Sequence, residues 1–248
     1  MMHPLSSTQI LEIWERGQGR HDNERALTLL CAAYPNRAVQ QLATLTVGQR
    51  DAHLLALREL TFGSQLNCLT ECPKCAEKLE FALNVTDIQM VKPTELKDIH
   101  VQDYFLTVDE FELRFRLPTS WDLIALARIK DATAMSTELL RRCLLQVSYR
   151  GMPVDVSALP TEAIAQLSEK MVEADPQAEV FLALDCPSCG YSWQALFDIV
   201  SFFWTELTIR AKHLLRDVHI LARFYGWREA DILAMSPVRR QFYLDLVS

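Results

Sequence analysis

Apolar positions in the first 63 residues recur at helical spacing. Ile10, Leu11, Ile13 and Trp14 form a short pattern, interrupted by Gly17, Gly19 and a polar stretch. Asn23 is placed to cap a second helix through Ala26, Leu27, Leu29, Leu30 and Ala33, which Pro35 stops. Thr46 is placed to cap a third, with Val47, Leu54, Leu55, Leu57 and Leu60 as apolar positions and Gly63 at its C-terminal end. The period then changes. Leu79, Phe81, Leu83 and Val85 alternate with polar or small residues, which predicts a strand. Residues 86–103 are acidic and irregular, and a strand-like stretch runs from Tyr104 to Leu117. Pro118 ends it, and Thr119 or Ser120 caps a helix through Trp121, Leu123, Ile124, Leu126 and Ala127.

Further helices are expected over Thr137–Val147 and Thr161–Ala174, with Gly151-Met152-Pro153 as a turn and Asp175-Pro176 closing the second helix. Val180, Leu182 and Leu184, then Tyr191, Trp193, Ala195 and Phe197, read as two more strands. A long helix follows, with Phe203, Leu207, Ala211, Leu214, Val218, Leu221 and Tyr225 as one apolar stripe. Gly226 ends it. A short helix over Glu229–Ala234 and a last one capped by Ser236, with Pro237 in its first turn, complete the chain.

Two segments of this pattern repeat each other at an offset of 114 residues. Glu71-Cys72-Pro73-Lys74-Cys75 matches Asp185-Cys186-Pro187-Ser188-Cys189, and an alternating strand follows each. Zinc favours four tetrahedral ligands, and thiolate is one of its preferred donors. One Cys-Pro-X-Cys knuckle supplies two sulfurs, so two facing knuckles complete a closed site. Cys72, Cys75, Cys186 and Cys189 are therefore the candidate ligands of one structural Zn2+. A redox role is a rival reading, because Cys-Pro-X-Cys also occurs where a helix N-terminus lowers a thiol pKa. Incidental burial is another. Strands rather than helices follow both motifs, and the duplication favours metal. Cys68 is a conceivable fifth ligand, but its counterpart in the repeat is Leu182, which points to a small buried side chain. Cys31 and Cys143 lie in helical patterns and read as core residues.

The 248 residues carry a formal charge of −7, against the basic face expected of a nucleic-acid binder. Seven cysteines, an odd number, do not suggest a disulfide framework. The N-terminus lacks the basic flank and apolar core of a signal peptide, and no apolar run suggests a membrane span, so a cytoplasmic protein is expected. The seven glycines are scattered, and no Walker loop, His-Glu-x-x-His or Gly-x-Ser-x-Gly is present. His213 and His219 lack metal-ligand spacing, and Asp109-Glu110 reads as a solvated loop or strand edge. An enzyme is thus not expected, although acid–base residues need not cluster in sequence. From Leu207 onward seven Lys/Arg face four Asp/Glu, interleaved with aromatics. That region reads as a helical cap or as a partner-docking surface, and a nucleic-acid-associated zinc-ribbon module remains the alternative.

A family resemblance rests on Arg58-Glu59-Leu60-Thr61-Phe62-Gly63 before the first knuckle and Phe115-Arg116-Leu117-Pro118-Thr119 before a helix. It continues through Trp227-Arg228-Glu229 and Arg239-Arg240-Gln241-Phe242-Tyr243-Leu244. The chain resembles the zinc-ribbon proteins of phage-tail-like contractile injection systems and, more distantly, the T-even phage baseplate-hub assembly chaperone family. The resemblance implies a non-enzymatic helper or minor component. Its partners would be baseplate hub, spike or tail proteins.

The expected fold is α+β. A split four-cysteine zinc ribbon over 64–88 and 178–198 is flanked by helical regions at 1–63 and 199–248. A mixed α/β insert over 89–177 separates the two knuckles.

Overall fold

The computed structural model describes residues 2–93, 96 and 101–247. Residues 94, 95 and 97–100 of the acidic stretch lie outside the described residues.

The N-terminal helices form where capping and periodicity agree. Helix α1 (Ser7–Arg16) starts at Ser6, whose hydroxyl accepts from the Gln9 N–H while the Gln9 side chain answers the Ser6 N–H. Helix α2 (Asp22–Ala33) is capped by His21 and not by Asn23. Glu24 accepts from the His21 N–H, and Asn23 instead sits in the first turn, accepting from Arg50 at 2.7 Å. A single turn, α3 (Val39–Leu42), precedes α4 (Val47–Phe62), which Thr46 caps as expected. Leu60 departs from the expected apolar face and is half exposed.

Two antiparallel hairpins stand apart from the rest of the sheet structure. Strand β1 (Gln65–Glu71) pairs with β2 (Lys78–Asn84). Val85, expected at the end of β2, instead begins the short helix α5 (Val85–Ile88). Far along the chain β7 (Val180–Asp185) pairs with β8 (Ser192–Phe197). Glu71 opposes Lys78 in the first hairpin and Asp185 opposes Ser192 in the second, so the 114-residue offset holds through the register.

Between the hairpins lies a two-layer unit. The expected single stretch over 104–117 is a hairpin of β3 (Asp103–Val108) and β4 (Phe111–Arg116), turning at Asp109 and Glu110. Thr119 precedes α6 (Ser120–Leu126), and the buried Asp122 accepts from both the N–H and the hydroxyl of Thr119. Arg116 also grips Asp122 at 2.6 and 2.8 Å. The helix expected over 137–147 is displaced. Helix α7 (Ala132–Cys143) starts earlier, at the cap Asp131, and Leu144–Tyr149 is strand β5. Pairing with β4 decides this: Leu144 lies opposite Phe115 and Val147 opposite Leu113, all four buried. Met152 and Pro153 leave the expected turn to form β6 (Met152–Pro153) beside β5. Helix α8 (Thr161–Ala174) has the expected bounds and lays Ala163 and Leu167 on this sheet.

Helix α9 (Ile199–Tyr225) joins the parts. Phe203, Leu207, Ala211 and Leu214 pack into one core with α1, α2, α4 and the hairpin residues Leu66 and Val180. Arg58 of α4 is 2% exposed, forks onto Glu206 of α9 at 2.6 and 2.8 Å, and donates to the Gly63 and Gln65 carbonyls. Helix α10 (Glu229–Leu233) and α11 (Pro237–Asp245) close over the far end of α9 through Leu221, Ile232 and Leu244. Arg240, buried, reaches Asp217 at 3.2 Å. Among the described residues no helix is long and apolar enough to cross a membrane.

Candidate metal centre

The two Cys-Pro-X-Cys segments form the turns of the two hairpins, and the backbone folds them alike. In the first, the Cys72 N–H donates to the Glu77 carbonyl and the Ala76 N–H to the Cys72 carbonyl, both at 2.9 Å. In the second, the Cys186 N–H donates to the Tyr191 carbonyl and the Gly190 N–H to the Cys186 carbonyl, also both at 2.9 Å. Each bond sits at the 114-residue offset. The repeat seen in the residues is therefore a repeat of hydrogen bonds.

The turns face each other tip to tip. Cys72 Sγ lies 3.7 Å from Cys189 Sγ, and Cys75 Sγ lies 3.5 Å from Cys186 Sγ. The first cysteine of each knuckle thus meets the second of the other, the exchange a local two-fold axis requires. All four sulfurs lie within 4.8 Å of one another. A disulfide would bring two sulfurs to about 2.05 Å, so these thiols are free. Zinc–sulfur bonds of about 2.3 Å in a tetrahedron put the sulfurs about 3.8 Å apart. The two contacts match that edge, and the cluster can hold a metal ion of zinc's size. Cys72 and Cys186 are buried, Cys189 is half-buried and Cys75 is exposed. The Lys74 ammonium lies 5.8 Å from the centre of the Tyr191 ring, a second link between the knuckles.

Cys72 and Cys75 differ in acidity. Burial opposes ionisation of Cys72, but N–H groups of Cys75 and Lys74 and the nearby thiols outweigh it and bring its pKa down to about 7. At Cys75 the Glu77 N–H favours the thiolate, yet burial and the three other sulfurs prevail and push it up to about 12. Four thiols this close cannot all carry charge unless a cation sits among them.

The other sequence candidates stay apart. Cys68 is half-buried on β1 against the main core, on the side away from solvent that Leu182 occupies in the second hairpin. Burial raises its pKa, as it does for Cys31. Cys143 is fully buried and pushed up to about 12, by burial first and then by Asp122. Glu110 accepts from Arg150 at 2.6 Å and from the Tyr149 hydroxyl at 2.8 Å, an exposed turn contact. His213 and His219 are exposed on α9. Among the described residues the four knuckle cysteines are the one cluster of this kind.

Sequence reasoning did not reach the contacts that join segments remote in sequence. Asp175 is the main example. Its carboxylate accepts from the Gly48 N–H at 2.8 Å, so it caps α4 from a position 127 residues away. No local pattern signals that bond.

No curated protein and no solved structure matches the chain. The family model described as T4 bacteriophage base plate protein matches residues 10–204, a span that includes both hairpins, and the chain belongs to that family.

Proposed function

We propose that Cys72, Cys75, Cys186 and Cys189 hold one structural zinc ion. In this reading the chain is a non-enzymatic assembly factor, a chaperone or minor structural component of a contractile tail baseplate. It acts in the cytoplasm by binding hub, spike or tail proteins. The observation that carries the reading is the meeting of four thiols from two copies of one motif, in a chain of a base plate family. Family membership supports a baseplate-associated role. A closed four-thiolate site has no open position for a substrate, which suits a structural ion. The net charge of −7 favours protein over nucleic acid as partner. The two hairpins, 64–88 and 178–198, then act as one split ribbon between the helical regions 1–63 and 199–248, with 89–177 as an insert.

Elemental analysis of the purified chain tests the metal. One zinc per chain, lost in Cys72→Ser/Cys186→Ser, is the expected result, and a metal-free native chain would overturn it. Co-expression with baseplate hub, spike and tail proteins tests the role. Co-elution with a component is expected, and separation from all of them would overturn the assembly reading while leaving the metal result standing.

A further inference from the structure

Helix α9 buries one side and shows an unusual charge pattern on the other. Lys212, Arg216, His219 and Arg223 are spaced four, three and four residues apart, so they share one face. All four are exposed. The run covers about 16 Å at 1.5 Å per residue.

Other helices of the chain pair such cations one turn away. Arg16 pairs with Glu12, Arg141 with Glu138 and Lys170 with Glu173, and Arg20, just before α2, pairs with Glu24. On α9 Asp217 is taken by Arg240. Among the described residues Lys212, Arg216 and Arg223 have no ion pair or hydrogen bond. Exposed Ile209, three residues before Lys212, and Leu215, three after it, border the stripe, and Ile209 is 52% exposed. The charge is local: the 42 residues from Leu207 carry +3, whereas the whole chain carries −7. The stripe also lies beyond residues 10–204, the part shared with the base plate family.

We propose that this face of α9 docks an acidic amphipathic helix of a protein partner. Carboxylates at the same spacing meet Lys212, Arg216 and Arg223 and hydrogen-bond the His219 ring, and apolar side chains cover Ile209 and Leu215. Arginine is enriched at interface hot spots. A nucleic acid fits less well. Its phosphates offer nothing to the two apolar side chains, and the acidic remainder of the chain repels a polyanion. This face carries none of the four cysteines, so the proposal is independent of the metal.

The test titrates the full-length chain into a labelled synthetic helical peptide with Glu at positions spaced four, three and four apart and Leu beside them. A Gln-for-Glu peptide and a short DNA duplex serve as the other probes. Saturable binding of the Glu peptide is expected, weakened about tenfold or more by raising salt from about 50 to 300 mM. A similar loss is expected in Arg216→Glu/Arg223→Glu with melting unchanged. If that variant melts early, Lys212→Gln/Arg216→Gln reads the same loss. Absence of saturable binding, equal affinity for the Gln peptide, indifference to the substitutions, or tighter binding of the duplex than of the Glu peptide each overturns the proposal.

Discussion

Ala76 and Gly190 hold the same left-handed position in the two knuckles, with φ of 59° and 68°. An L side chain there costs about 1–2 kcal/mol relative to glycine, and glycine's extra freedom in the unfolded chain returns about half of that. Ala76→Gly is therefore expected to stabilise the chain by up to about 1 kcal/mol. Gly190→Ala, whose new methyl would meet nothing within 4 Å, should destabilise it by a similar amount through φ alone. Thermal melting should show shifts of opposite sign, each about 2–4 °C for a chain of this size.

Removal of the proposed zinc should act on the hairpins first. The main core is built from α1, α2, α4 and α9 and includes none of the four cysteines. In small zinc modules about 10–16 kcal/mol of binding energy appears as folding energy. A strong chelator is expected to abolish hydrogen-exchange protection in β1, β2, β7 and β8 while most helical circular dichroism remains. Unchanged protection in the hairpins would contradict a structural ion.

Gly48 has no room for a side chain. A Cβ there would lie 2.1 Å from Asp175 Oδ1 and 2.9 Å from the Ala178 amide nitrogen. Gly48→Ala must push the 175–178 segment off the start of α4 and also loosens the Asp175 cap. A loss of about 2–3 kcal/mol is expected, read from denaturant midpoints. In an Asp175→Ser background the same substitution should cost less, because the closer obstacle has gone.

Two buried groups on α4 titrate in opposite directions. Burial raises the Asp51 pKa to about 6, although Arg50 pulls against it. Burial lowers the His53 pKa to about 4. The Asp51 contribution is complete below about pH 4 and is lost as pH rises through 6. The His53 contribution is complete above about pH 6.5 and is lost as pH falls through 4. The two largely cancel in the wild type between pH 4 and 6.5. Asp51→Asn should make the chain lose stability on acidification across that range, and His53→Gln should make it gain, each by on the order of 3 kcal/mol. Urea denaturation at pH 4.5 and 6.5 reads both signs.

The legible parts of the fold were those with a local signal. The 114-residue repeat gave all four knuckle cysteines, and the end of α8 was legible because Asp175-Pro176 follows it. Ambiguous apolar runs failed. Leu144–Val147 suits either period, and only the partner strand β4 makes it a strand. At α2 the residue preference favoured Asn23, whereas His21 holds the cap through Nδ1 and the reciprocal Glu24 bond. The reach of Asp175 to Gly48 and the fork of Arg58 onto Glu206 depend on folded distance and leave no trace in spacing.

The distance between the knuckles also sets a schedule. Cys189 leaves the ribosome long after Cys75, and at about 5–20 residues per second the first knuckle waits on the order of 6–20 s for its mate. Helices α1, α2 and α4 wait longer still, because Phe203, Leu207 and Leu214 complete their core. A nascent chain stalled before residue 186 thus exposes a pair of thiols with no counterpart, open to oxidation or to a foreign metal, and the cysteine cluster and the main core form only after Cys189 and Leu214 have emerged.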